Sequence, residues 1–184
     1  MSVTSARPPA SSPEPRDHLD APLYGATIRQ AVVRFWRKSA VFSGRASRSE
    51  YWWWVLVSVV VSLAMQVMTA AFFVEGFTSY LRKPTELSPL EWLWAGVTLV
   101  PVTALTVRRL HDSNRSGWWA LLTVPDVLSL LLPAALQPPI NPFQTTGPAL
   151  VLSLITVVCG LTLLVLTILD PDPRGARYDR TRFE

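Results

Sequence analysis

The sequence predicts an all-α membrane protein, with four transmembrane helices preceded by an amphipathic surface helix. Three observations carry that expectation. Two long stretches, Tyr51–Val74 and Val127–Leu169, hold no charged residue. Charged residues make up only 16% of the 184-residue chain, against about 25% in soluble domains. Tryptophans stand where apolar runs begin, at Trp52, Trp53, Trp54, Trp92, Trp118 and Trp119, which are the positions of an interfacial aromatic belt. At about 1.5 Å per residue, the first run alone is long enough to cross ~30 Å of hydrocarbon.

The elements follow in order. Residues 1–22 hold five prolines among serines and scattered charges, a composition that cannot build a core and reads as a disordered tail. No apolar stretch follows the first basic residue, so a signal peptide is not expected. Residues 23–42 carry Tyr24, Ile28, Ala31, Val32, Phe35, Trp36 and Phe42 on one helical face. Arg29, Arg34, Arg37 and Lys38 lie opposite, the pattern of a helix resting in a membrane surface. Residues 43–169 form the transmembrane domain, with spans at about 51–74, 90–108, 118–135 and 149–169 by apolar run length. Ser47 with Glu50, and Ser88 with Glu91, have the spacing of capping boxes, and Pro89 takes the first helical position, where its missing N–H costs nothing. Pro125 kinks the third span. Asp170-Pro171-Asp172-Pro173 stops the fourth, because proline cannot continue a helix, and residues 170–184 form a charged tail.

Orientation follows from the basic residues. With four spans, fifteen Lys/Arg fall on the side of both termini and the Arg108–Gly117 turn, and two fall on the other. Lys/Arg-rich segments stay in the cytoplasm. The expected location is the cytoplasmic membrane, multi-pass, with both termini inside.

Composition also narrows the chemistry. The one cysteine, Cys159, lies inside the last apolar run, so neither an internal disulfide nor a Cys-x-x-Cys metal site is available. No glycine-rich phosphate loop is present. One histidine with two carboxylates is thin for a metal centre. No metal and no cofactor are expected. The net charge of +4 is not gathered into a basic, aromatic-rich patch of a soluble domain, so nucleic acid is not an expected partner.

Two segments carry more than anchoring requires. Arg45, Arg48 and Glu50 enter the first span at the depth where Arg108, Arg109, His111 and Asp112 leave the second. The expected pairs are Asp112 with Arg45 or Arg48, and Glu50 with Arg109, forming a clasp between spans. His111-Asp112 invites a catalytic reading, since a carboxylate can orient an imidazole as a general base. Sequence neighbours point about 100° apart on a helix, however, and no serine or cysteine has the setting of a nucleophile. Asp126 stands roughly 12 Å into the third span by helical rise, at a depth like that of Pro101 in the second. An ionisable residue there is a functional candidate. The expected state is a neutral carboxyl bonded to Ser58, Ser62 or Thr103. Ser58 with Ser62, and Thr156 with Gly160, are small-residue pairs that permit close helix contacts.

Phe42-Ser43-Gly44-Arg45-Ala46-Ser47-Arg48-Ser49-Glu50-Tyr51-Trp52 has the form F-x-G-R-x-x-R-x-E-Y-W. Arg108-Arg109-Leu110-His111-Asp112 and then Gly117-Trp118-Trp119 follow it. Together these resemble the signature of a bacterial inner-membrane family known as domain of unknown function 805, over roughly Phe42 to Leu169. The resemblance implies a small four-span protein of the cytoplasmic membrane and implies no activity. Three features depart from it: the proline-rich N-terminal tail, the Asp170–Gly175 stretch in place of an asparagine-aromatic-glycine-proline close, and Asp126 at an apolar position. The expected function is a non-enzymatic membrane protein. Its expected partners are anionic lipid headgroups, a membrane-protein partner or a second copy of itself. Two alternatives stay open: a subunit of an oligomeric transporter or channel using Asp126, and a lipid-headgroup enzyme at the arginine/His111 cluster.

Overall fold

A computed structural model describes residues 21–72, 88–131 and 147–179. The helices are α1 (Ile28–Arg37), α2 (Arg48–Phe72), α3 (Pro89–Asp112), α4 (Val124–Leu131) and α5 (Gly147–Ile168). A 3₁₀ stretch, Gly117–Thr123, leads into α4, and another, Pro173–Tyr178, follows α5. Among the described residues there is no strand. Among the described residues, segments of three helices are long and apolar enough to cross a membrane: Arg48–Thr69, Pro89–Asp112 and Leu150–Ile168.

The spans turn apolar side chains outward. Val67 and Leu93 are 68% and 64% exposed. In water such surface would be a large liability, and in hydrocarbon it is the ordinary exterior. The buried residues gather instead at one end of the bundle, where α2 begins and α3 and α5 finish. One core packs Phe35 of α1, Ala46, Trp54 of α2 and Leu105 of α3. A second packs Leu110 of α3, Ala120 and Leu166 of α5. Among the described residues, nothing lies within 4 Å of where a Cβ on Gly160 would stand.

Helix starts follow local chemistry. Ser88 and Glu91 form the full capping box: the Glu91 amide donates to Ser88 Oγ at 3.3 Å and the Ser88 amide to Glu91 Oε2 at 2.8 Å. At α2 only half of the expected box forms. The Glu50 amide donates to Ser47 Oγ at 3.2 Å, but the Glu50 side chain turns away to accept from the Leu23 amide at 2.6 Å. Thr27 and Gln30 make a further box, at the start of α1, and Thr27-Ile28-Arg29-Gln30 has the required sequence form.

Three expectations are corrected here. The segment 118–135 is not one continuous helix over its described part. Proline lacks an N–H and clashes with the carbonyl four residues back, so the α-helix begins at Val124 with Pro125 in its first turn, and the chain before it tightens to 3₁₀. Residues 132–135 lie outside the described residues, as do 73–74 at the end of the first predicted span and the 1–20 tail. The helix expected over residues 23–42 is shorter, Ile28–Arg37, and its basic face is split: Arg29 and Arg37 are exposed, while Arg34 and Lys38 are buried. Trp54 is core and not belt. It is 3% exposed, stacked on Phe35 with ring centroids 3.3 Å apart and lying 6.2 Å from Trp94. Trp53, Trp92, Trp118 and Trp119 are exposed.

Because Phe35 is the aromatic plug holding α1 to α2, Phe35→Ala should remove about 3–5 kcal/mol of packing. The expected outcome is a lower melting temperature in detergent and faster protease cleavage within α1. Unchanged cleavage would mean that α1 is held by its charges alone.

Candidate functional site

The capped end is built around charges that the fold turns inward. Arg109 and Asp112, both 0% exposed, pair at 2.6 Å across one turn of α3. Such a pair persists in a protein interior only when its remaining hydrogen-bonding capacity is used. Here it is used. Arg109 Nε donates to the Thr167 carbonyl at 2.9 Å, and a terminal nitrogen donates to the Leu169 carbonyl. These are carbonyls at the C-terminus of α5, where a cation also meets the negative end of the helix dipole. The other Asp112 oxygen accepts from the Tyr24 hydroxyl at 2.9 Å. One pair therefore ties together α3, α5 and the segment before α1.

The second cluster centres on Glu50, 1% exposed. Arg34 approaches it at 3.2 Å, and Lys38 and Arg108 lie within electrostatic reach. Arg108 is 1% exposed. Its Nε donates to the Ala104 carbonyl at 3.2 Å, while a terminal nitrogen reaches the Lys38 carbonyl at 3.5 Å.

The tail closes the third side. Arg45 grips Asp179 through two nitrogens, Nε at 3.0 Å and a terminal nitrogen at 2.7 Å. Those bonds hold the Arg45 guanidinium above its ordinary pKa. Arg48 pairs with Asp170. His111 Nδ1 donates to the Gly44 carbonyl at 3.2 Å, since a carbonyl can only accept. The imidazole stacks on Tyr178 at 3.9 Å, with planes 3° apart. Gly44 has φ 82°, a left-handed conformation that side chains disfavour, and its amide donates to the Tyr178 carbonyl at 2.9 Å. Gly175 is required for a different reason. A Cβ there would run into the His111 carbonyl oxygen and lie 3.3 Å from that of Asp112.

The structure thus brings together every charged residue of the two motifs, but with partners other than those expected. Asp112 binds Arg109 and Tyr24, not Arg45 or Arg48. Glu50 binds Arg34, not Arg109. The reason is that α3 stays helical through Asp112, which puts Arg109 and Asp112 on one face. The arginines of α2 and its approach are then left for the tail. Tyr24, Asp170, Asp179 and Tyr178 were not anticipated; the contacts of Tyr24, Asp170 and Asp179 span 88, 122 and 134 positions, and no local pattern announces them. Arg34 and Lys38 belong to this interior and not to the lipid-facing set.

Asp126 stands apart. It is exposed in the first turn of α4, where the helix dipole favours a negative charge. No described side chain bonds its carboxylate, and Thr103 bonds the Leu99 carbonyl instead. The expected bond to Ser58, Ser62 or Thr103 is therefore absent. Among the described residues no three metal-ligating side chains converge.

Fold and cap define a class: a helical membrane protein whose span ends are locked by an internal charge clasp. The chain belongs to the family described as "Protein of unknown function (DUF805)", whose model matches residues 39–180. It is 42% identical over 81 residues to the inner membrane protein YhaI of Escherichia coli K12, covering 44% of this chain and 59% of YhaI. It is 33% identical over 81 residues to the inner membrane protein YhaH of the same strain, covering 44% of this chain and 61% of YhaH. The chain thus spans about three fifths of the length of these relatives. No solved structure matches it.

The clasp makes a pairwise prediction. Asp112→Ala strands a fully buried Arg109 and should cost about 3–5 kcal/mol. Arg109→Leu/Asp112→Leu should cost less than the sum of its single variants. Arg48→Ala and Asp112→Ala should add to within about 0.5 kcal/mol. Melting curves in detergent check all three; coupling to Arg48 and not to Arg109 would overturn the pairing.

Proposed function

We propose that this protein is a non-enzymatic, multi-pass scaffold of the cytoplasmic membrane that gathers anionic phospholipid around its cytoplasmic end. The carrying observation is the contrast between inner and outer charge at the cap. Apart from Arg48, the motif charges are turned inward, onto α1, α3, α5 and the tail. Among the described residues, the arginines left exposed at that end are Arg29, Arg37, Arg115, Arg174 and Arg177, while the exposed carboxylate there, Asp170, is paired with Arg48. An outward arginine ring beside an apolar belt suits a leaflet rich in anionic headgroups, where each basic residue contributes about 1 kcal/mol.

The names of the relatives support an inner-membrane location. The fifteen-to-two distribution of Lys/Arg supports four spans with the cap in the cytoplasm. The catalytic alternative gains no support from the geometry: His111 is committed to Gly44 and Tyr178. The transport alternative gains none from Asp126, which no second ionisable group approaches among the described residues.

Two experiments test the proposal. Reporter fusions after Glu184 and within Arg108–Gly117 should report cytoplasm, and fusions within residues 75–88 and 137–148 the outside; a C-terminus outside the cell would end the four-span reading. Full-length protein extracted with its surrounding lipid should be enriched in phosphatidylglycerol over the bulk membrane. Arg29→Gln/Arg37→Gln/Arg174→Gln should reduce that enrichment, and high salt should reduce it in the unmodified protein. Equal enrichment in both proteins would refute the headgroup-binding role.

A further inference from the structure

Resting on the lipid-binding reading, we propose a specific site: one acyl chain of an anionic phospholipid lies in the groove between α3 and the 3₁₀–α4 segment, its headgroup at Arg115 and Arg177. The groove encloses about 840 Å³, within the range of roughly 300–1,000 Å³ typical of small-molecule sites. Thr103 and Val107 of α3 form one wall; Leu121, Val124 and Leu128 form the other.

Three features select the occupant. The first is medium. The α3 wall belongs to an apolar segment of spanning length, Pro89–Asp112, so the groove opens to hydrocarbon and not to water. The second is length. The lining runs along α3 from Leu99 to His111, about 18 Å by helical rise, close to one leaflet of a ~30 Å core. The third is polarity, which changes along the groove as it does along a phospholipid. The deep end is apolar, at Leu99 and Leu131. The end at the cap carries His111, Ser116 and Tyr178. With His111 Nδ1 donating to Gly44, Nε2 of the neutral ring is left as an acceptor. A Cβ on Gly117 would lie 3.2 Å from it, which places Nε2 at the groove wall. Headgroup hydroxyls are the donors it would take.

Charge at the mouth selects the anionic class. Arg177 lies over the Tyr178 ring at 4.7 Å and donates to its hydroxyl at 2.8 Å. Arg115 directly precedes Ser116. Both arginines are exposed, whereas nearby Asp179 is held by Arg45. Arginine forks match phosphate oxygens.

The test uses the full chain in nanodiscs of equal phosphatidylglycerol and phosphatidylethanolamine, followed by native mass spectrometry after transfer to detergent. The unmodified protein should retain one phosphatidylglycerol. Leu121→Trp and Val124→Trp, at groove positions 56% and 50% exposed, should lower retention about tenfold, equivalent to ~1.4 kcal/mol. Leu161→Trp, at a position 57% exposed on α5 outside the groove, should retain as the unmodified protein does. Arg115→Gln/Arg177→Gln should retain lipid with the headgroup preference lost. As a measurement needing no groove variant, phosphatidylglycerol with a photoreactive acyl chain should label Leu121–Leu128 more than Leu154–Leu164. No retained phospholipid, retention unaffected by the groove tryptophans, loss equal to that of Leu161→Trp, or even labelling would each overturn the site. Where the groove tests give one of those results and surface enrichment still falls in the Arg29/Arg37/Arg174 variant, the groove fails while the surface role stands; the reverse pattern separates them the other way.

Discussion

The fold depends on a charge that has nowhere to go. Arg109 is fully buried at the end of α3, and burying a guanidinium is costly unless a carboxylate and acceptors surround it. Asp112 supplies the carboxylate. The Thr167 and Leu169 carbonyls supply the acceptors, and they are free because the last turn of α5 leaves its carbonyls without intrahelical partners. The requirement of one side chain thereby sets the position of α5 against α3. It also draws Tyr24, and with it the segment before α1, onto the same carboxylate.

Around that pair the usual plan of a soluble protein is reversed. The exterior of the spans is apolar and the densest buried region is charged. Helix association in hydrocarbon gains little from burying apolar surface, because lipid tails are as apolar as leucine. Polar contacts at the membrane boundary take over the role of specifying which helix ends meet. The aromatic core formed by Phe35, Trp54 and Leu105 sits directly beside the Glu50 cluster and shields it from water. The packing of α1 and the retention of its arginine are thus one device: Phe35 and Arg34 are neighbours that bury together.

The tail shows how little backbone is needed to finish the cap. Asp172 donates its amide to the Asp112 carbonyl at 2.8 Å, Gly175 permits close approach to the end of α3, and Tyr178 covers the His111 ring. The prolines that stop α5 also start this 3₁₀ turn, with Pro173 at its first positions. A segment that reads as a short charged tail is part of the folded core.

By itself the sequence determined the membrane class and the approximate extent of the long apolar helices α2, α3 and α5. Those properties are local: uncharged run length, capping residues and prolines act on their own stretch of chain. It did not determine the partners. Several oppositely charged residues lie at one depth, and depth alone leaves many pairings open. The continuation of α3 through Asp112 pairs Arg109 with Asp112, the docking of α1 turns Arg34 and Lys38 inward, and the returning tail gives Arg45 and Arg48 their carboxylates. The last two choices join residues far apart in the chain, so only the assembled bundle, where the buried charges share one end, could decide them.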